Sequence, residues 1–159
     1  MEYLIKSAFD HALKWFQKHF NINFIPSLEI GKYNICADLF RVSAKDKKIY
    51  VNRDKLFENI AMMNCCLIKK GHTNDEQKEI TARFIHEIVE TYITTENPGF
   101  AVHITPHFHE YADFVEDIYR KENGLFTHAH GYKFLGLEKI FERLWEQELA
   151  KNSKVQVFE

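Results

Sequence analysis

The sequence predicts an α+β fold in which a small twisted sheet packs against one helix and further helices surround the pair. Three observations lead there. Apolar residues recur at helical spacing in five segments, β-prone stretches cluster between residues 27 and 52, and capping and breaker residues separate the two kinds of segment. At 159 residues the chain has the length of one domain with one core, so residues 1–159 are expected to form a single unit.

Ile5, Phe9, Ala12, Leu13, Phe16 and Phe20 share one face of a first helix over residues 3–20, with Lys6, Asp10, Lys14 and Lys18 on others. After Pro26 come SLEI, YNICADLFRVS and KKIYVN, with AKDKK as a turn between the last two, so an antiparallel hairpin is expected. Asp54 is placed to cap a helix carrying Leu56, Phe57, Ile60, Ala61 and Leu67, which stops near Gly71. Thr73 and Glu76 form a capping box for a helix that runs to the breaker ENPG at 96–99. Thr105-Pro106 starts the next helix, and Asn123-Gly124 ends it. The polar loop THAHG then leads to a helix with Leu137, Ile140, Phe141, Leu144 and Trp145, and VQVF reads as a β-like tail.

A hydrophobic content of 45% with 28% charged residues is that of a packed globular chain rather than a disordered one. The net charge of -2 gives no overall electrostatic reason to bind nucleic acid or an acidic membrane surface, so neither partner is expected. No run approaches the roughly 18 apolar residues of a membrane span. Cys36, Cys65 and Cys66 make neither an even disulfide framework nor a metal knuckle, and MEYLIKSAFDH lacks an apolar signal region, which points to the cytoplasm. Cys65 and Cys66 read as packing residues.

The chemistry gathers around FIHEIVE, residues 84–90. At about 100° per residue, Ala82, Ile85, Ile88, Val89, Tyr92 and Ile93 share one arc, and His86 and Glu90 lie along its edge one turn apart. Two ligand types at i and i+4 project the same way, which lets one helix hold a metal with two side chains. The same placement on the following helix puts Phe108, Tyr111, Ala112, Val115, Ile118 and Tyr119 on an apolar arc bordered by His109, Asp113 and Glu116. Packed as a hairpin across the loop 97–104, the two helices bring His86, Glu90 and a residue from the second border to one point. The bland alternative is a solvated helix edge with an i,i+4 hydrogen-bonded pair.

The order of elements together with HEIVE resembles the zincin superfamily of metallopeptidases, in particular its small bacterial and phage-type members. The resemblance spans most of residues 1–122 and implies a zincin-like domain with a variant HExxE motif. It implies that His86 is the first zinc ligand and Glu87 the catalytic general base acting on water at the metal. Glu90 stands at the second-ligand position, where the signature has histidine. His109 is the preferred third ligand, with Glu116 as substitute and His107 or His103 as further alternatives. Zn²⁺ is the implied cofactor; two carboxylates lower the positive charge of the site and make another divalent metal the alternative. His128 and His130 read as decoration of an exposed loop, with an independent second metal there as the lesser alternative, and His11, His19 and His72 as surface residues.

Two functions follow from this reading. The first is a zinc-dependent peptidase or hydrolase that takes a peptide or protein substrate. The second is a non-catalytic zincin-like binding or regulatory protein that keeps the scaffold. A di-iron helical protein needs two E-x-x-H motifs on bundle helices, and none lies near HEIVE. Substrate and oligomeric state are not encoded in any motif.

Overall fold

The computed structural model describes residues 2–20, 24–31, 39–43, 45–69, 75–95, 107–128 and 131–158, without the side chains of 63–69 and 151–158. Among them are five helices and a three-stranded sheet, an α+β architecture. In chain order these are α1 (Glu2–Phe20), β1 (Ser27–Gly31), β2 (Phe40–Ser43), β3 (Lys48–Asn52), α2 (Arg53–Lys69), α3 (Glu76–Thr95), α4 (Phe108–Glu122) and α5 (Glu138–Phe158).

The expected hairpin is present: β2 and β3 pair antiparallel, and β1 joins the other side of β3 in parallel, giving the order β1-β3-β2. Register puts Leu28 and Val42 beside Ile49, and Ile30 and Phe40 beside Val51, so one face is continuously apolar. Period-two alternation sends Glu29, Arg41 and Tyr50 to the other face. Ser43 and Asp46 close the turn side chain to side chain, and Lys47 takes a positive φ of 50° there.

Helix α3 is the centre of the molecule. Its Phe84 meets Phe9 of α1 edge-to-face at 5.3 Å and Phe40 of β2 at 5.5 Å, while α4 covers another side. The α1 face expected from the sequence is buried through Ile5, Phe9, Ala12, Phe16 and Phe20, joined by Ala8. On α3 the expected arc is buried except for the half-buried Tyr92, and Glu79, Thr81, Phe84, His86 and Thr91 are buried with it. A helix enclosed on several sides shields residues that a surface helix would leave in water.

Some local expectations are corrected. The chain passes directly from β3 into α2, so the side chain of Asn52, not Asp54, accepts the Lys55 N–H and caps that helix. Asp75 caps α3 by accepting the Lys78 N–H. VQVF is helical, because α5 continues to Phe158: extending a helix adds one hydrogen bond per residue fixed, which outweighs the weak β preference of two valines. Thr73, Thr105, Pro106, Gly71, Cys36 and the ENPG breaker lie outside the described residues. The end of α4 is as expected and more fully built. Gly124 takes a φ of 70°, its N–H reaches the Lys121 carbonyl, and the Leu125 N–H bonds the Arg120 carbonyl at 2.8 Å, a Schellman turn.

Candidate metal centre

Glu79, Arg83, His86 and Glu90 follow one another on α3 at intervals of four, three and four residues. On α4, His109, Asp113, Glu116 and Arg120 repeat the same intervals, so each helix presents one polar stripe. The stripes meet antiparallel: Glu90 faces His109, His86 faces Asp113 and Glu116, and Glu79 faces Arg120.

At the inner end Arg120 donates from Nη1 to Glu79 Oε1 at 3.0 Å and from Nε to Glu116 Oε2 at 2.6 Å. This fixes Glu116 with its other oxygen, Oε1, 3.3 Å from His86 Nδ1. Asp113 Oδ1 lies 2.9 Å from the same nitrogen. On the opposite edge of the ring, His86 Nε2 is 2.9 Å from Glu90 Oε1 and 3.2 Å from His109 Nδ1, and these two are 2.6 Å apart. The buried imidazole of His86 therefore belongs to two groups able to hold a cation: His86, Glu90 and His109 outside, and His86, Asp113 and Glu116 inside.

Burial disfavours the charged form of His86, but the carboxylates of Asp113, Glu116 and Glu90 outweigh it and hold the ring's pKa well above the ordinary value. Burial likewise pushes the carboxyls of Glu90 and Asp113 up, and their histidine neighbours overcome it and hold both below the usual carboxylate range. Glu87 behaves differently. Burial pushes its pKa up to about 7, only partly opposed by His86.

Asp113, Glu116, His86 and Glu87 line one cavity of about 400 Å³, which Arg83 and Arg120 border and Leu39, Phe40 and Phe126 wall with apolar surface. Glu90 and His109 are not among its lining residues.

Comparison with protein-family models, with curated proteins and with solved structures finds no match to this chain.

The three residues expected as ligands, His86, Glu90 and His109, come together, and Glu87 sits beside His86, the only one of them in the cavity wall. Glu116, the substitute ligand, contacts the other nitrogen of His86. His107 faces Glu110 at 3.8 Å and is in neither group, while His103 and His130 lie outside the described residues. His128 is corrected: it is half-buried against α4, with Nδ1 2.7 Å from Asp117 Oδ1. The Schellman turn folds the chain back along α4, and Asp117 captures both the His128 backbone N–H and its ring. Asp117, Tyr132 and Arg120 went unsignalled as site residues in the sequence. The recurring 4-3-4 spacing is the signal that would have drawn Arg120 into the stripe.

Proposed function

We propose that the chain is a metal-dependent hydrolase acting on a peptide or protein, with a divalent ion on the cavity side of His86 and Glu87 as general base. The observation that carries this is the shared cavity: His86, Asp113 and Glu116 offer imidazole and carboxylate donors there, beside a carboxyl whose pKa of about 7 suits proton transfer near neutrality. The choice of peptide hydrolysis rests on the resemblance of HEIVE to the zincin signature. Zinc fits such a donor set first, and a harder divalent ion is the alternative for a site with two carboxylates. The ion supplies Lewis acidity, acidifying water and polarising a carbonyl oxygen.

The chain's own residues do the rest. Glu90 accepts the N–H of His86 Nε2, which leaves Nδ1 as the donor toward the cavity, the carboxylate–histidine arrangement that orients metal ligands. Arg120 holds Glu116 in place from behind. Glu87 takes and returns the proton, and Leu39, Phe40 and Phe126 offer an apolar wall to a substrate side chain.

A second placement keeps the function and puts the ion on the outer edge of the ring, with His86, Glu90 and His109 as ligands. It is favoured by the mutual donor separations of 2.6–3.2 Å. Zinc affinity separates the two. Asp113→Asn with Glu116→Gln abolishes binding if the ion is inside, whereas Glu90→Gln then costs about 10- to 100-fold, as expected for an outer partner of a ligand, and His109→Ala little. The reverse pattern moves the ion to the outer edge. Catalysis is tested with Glu87→Gln against a peptide library. A loss of about 10²- to 10⁴-fold supports the hydrolase with Glu87 as base, equal turnover refutes that role of Glu87, and a wild type without turnover favours the non-catalytic scaffold.

A further inference from the structure

Resting on the cavity-side placement of the ion, the geometry points to His128 as a fourth ligand, delivered through Nε2 by the turn that follows α4. His128 lines the same cavity as His86, Asp113 and Glu116. Its Nε2 lies 3.4 Å from Asp113 Oδ1 and 3.9 Å from Glu116 Oε2. Ligands about 2.0–2.2 Å from a tetrahedral ion stand about 3.4 Å from one another. Three of the separations, 2.9, 3.3 and 3.4 Å, lie at or just below that value; the fourth, 3.9 Å, runs to Glu116 Oε2, the oxygen that Arg120 holds, so His128 stands just outside the compact group of His86, Asp113 and Glu116 and joins it through Asp113. The set becomes two histidines and two carboxylates.

The other ring nitrogen is already committed. Nδ1 lies 2.7 Å from Asp117 Oδ1 and donates its N–H there, so Nε2, on the cavity side, is the nitrogen left to ligate once it gives up its proton. Asp117 is itself buried and fixed. It accepts the His128 backbone N–H at 3.0 Å and the hydroxyl of Tyr132 on its second oxygen. Arg120 ties down the intervening chain by donating to the Phe126 carbonyl at 3.2 Å. Both imidazoles thus carry a carboxylate on the nitrogen facing away from the cavity, Glu90 behind His86 and Asp117 behind His128. That is the outer-shell pattern of histidine metal ligands. The competing role for His128 is a simple clamp, an imidazolium bridging Asp117 and Asp113, which would hold the turn without any ion.

The two roles are separated by ¹⁵N NMR of the histidine side chains in the full chain, with and without Zn²⁺. The expected result is that Zn²⁺ leaves His128 neutral, with Nε2 shifted as a ligating nitrogen and Nδ1 still protonated. An ion bound at His86 with the His128 resonances unchanged would overturn the assignment of His128 while sparing the cavity-side ion. Absence of any Zn²⁺ effect on His86 would overturn both. Affinity gives a second arm: Asp117→Asn weakens Zn²⁺ binding by about 10- to 100-fold, the usual cost of removing an outer-shell carboxylate, and His128→Ala by more. A folded His128→Ala chain that binds Zn²⁺ as tightly as the wild type assigns His128 to the clamp.

Discussion

Replacing Glu87 by glutamine tests the site's electrostatics without any substrate. A carboxyl whose pKa rises on folding binds its proton more tightly in the native state. Its stability contribution is full below the unfolded pKa and is lost as pH rises through the folded one. For Glu87 that window runs from 4.5 to about 7. At about 1.4 kcal/mol per pH unit, the loss is about 3 kcal/mol once the group is ionised. Glutamine keeps the shape and has no proton to lose. In metal-free protein, the variant is therefore expected to be more stable than the wild type by under about 1 kcal/mol near pH 5 and by about 3 kcal/mol near pH 8.5. Urea unfolding across that range measures the difference. A gain that does not change with pH would show that Glu87 is not held in a desolvated position, and would remove the reason for assigning it proton transfer near neutrality.

Zinc binding should weaken as pH falls, because His86 and His128 are both held above the ordinary imidazole pKa by their carboxylate neighbours and must release protons to ligate. Calorimetry in buffers of different ionisation heat should find protons released on zinc binding at neutral pH, and no release would contradict the ligand assignment. In metal-free protein the same raised values stabilise the fold below the ordinary histidine pKa, and that stability is lost as pH climbs through the raised ones. Arg120→Met leaves Glu79 and Glu116 buried without their cation and should cost about 3–5 kcal/mol in chemical unfolding; a cost below about 1 kcal/mol would show that water replaces the guanidinium. Phe84→Ala removes a fully buried ring packed between Phe9 and Phe40 and should cost about 3–5 kcal/mol by the same assay.

Periodicity carried the α+β class and the helix faces, because a buried arc of Ile85, Ile88 and Val89 leaves the same signature wherever the helix packs. The hairpin and the Asn123-Gly124 stop were legible for a similar reason: turn chemistry is local. The boundaries at Asn52 and Asp75 were missed because several polar residues in each stretch were able to cap, and the direction of the incoming chain decides which one does.

The site was legible in half. His86 and Glu90 are one turn apart on a single helix, so spacing alone pairs them, and the border of α4 offered His109, Asp113 and Glu116 together. Which edge of the His86 ring faces a cavity depends on where β2 and the turn after α4 close over it, and no spacing encodes that. His128 was hidden for the same reason. Its partner Asp117 lies eleven residues back, and only the Schellman turn brings the two into contact.

The central claim is that His86 anchors a divalent ion between α3 and α4. Elemental analysis tests it most directly, on protein purified without an immobilised-metal column and equilibrated with a small excess of zinc before gel filtration. The geometry predicts about one zinc per wild-type chain, and almost none in His86→Ala, where an open site loses a ligand common to both candidate groups. A wild-type chain that emerges metal-free, or a His86→Ala chain that keeps its full equivalent, would contradict it.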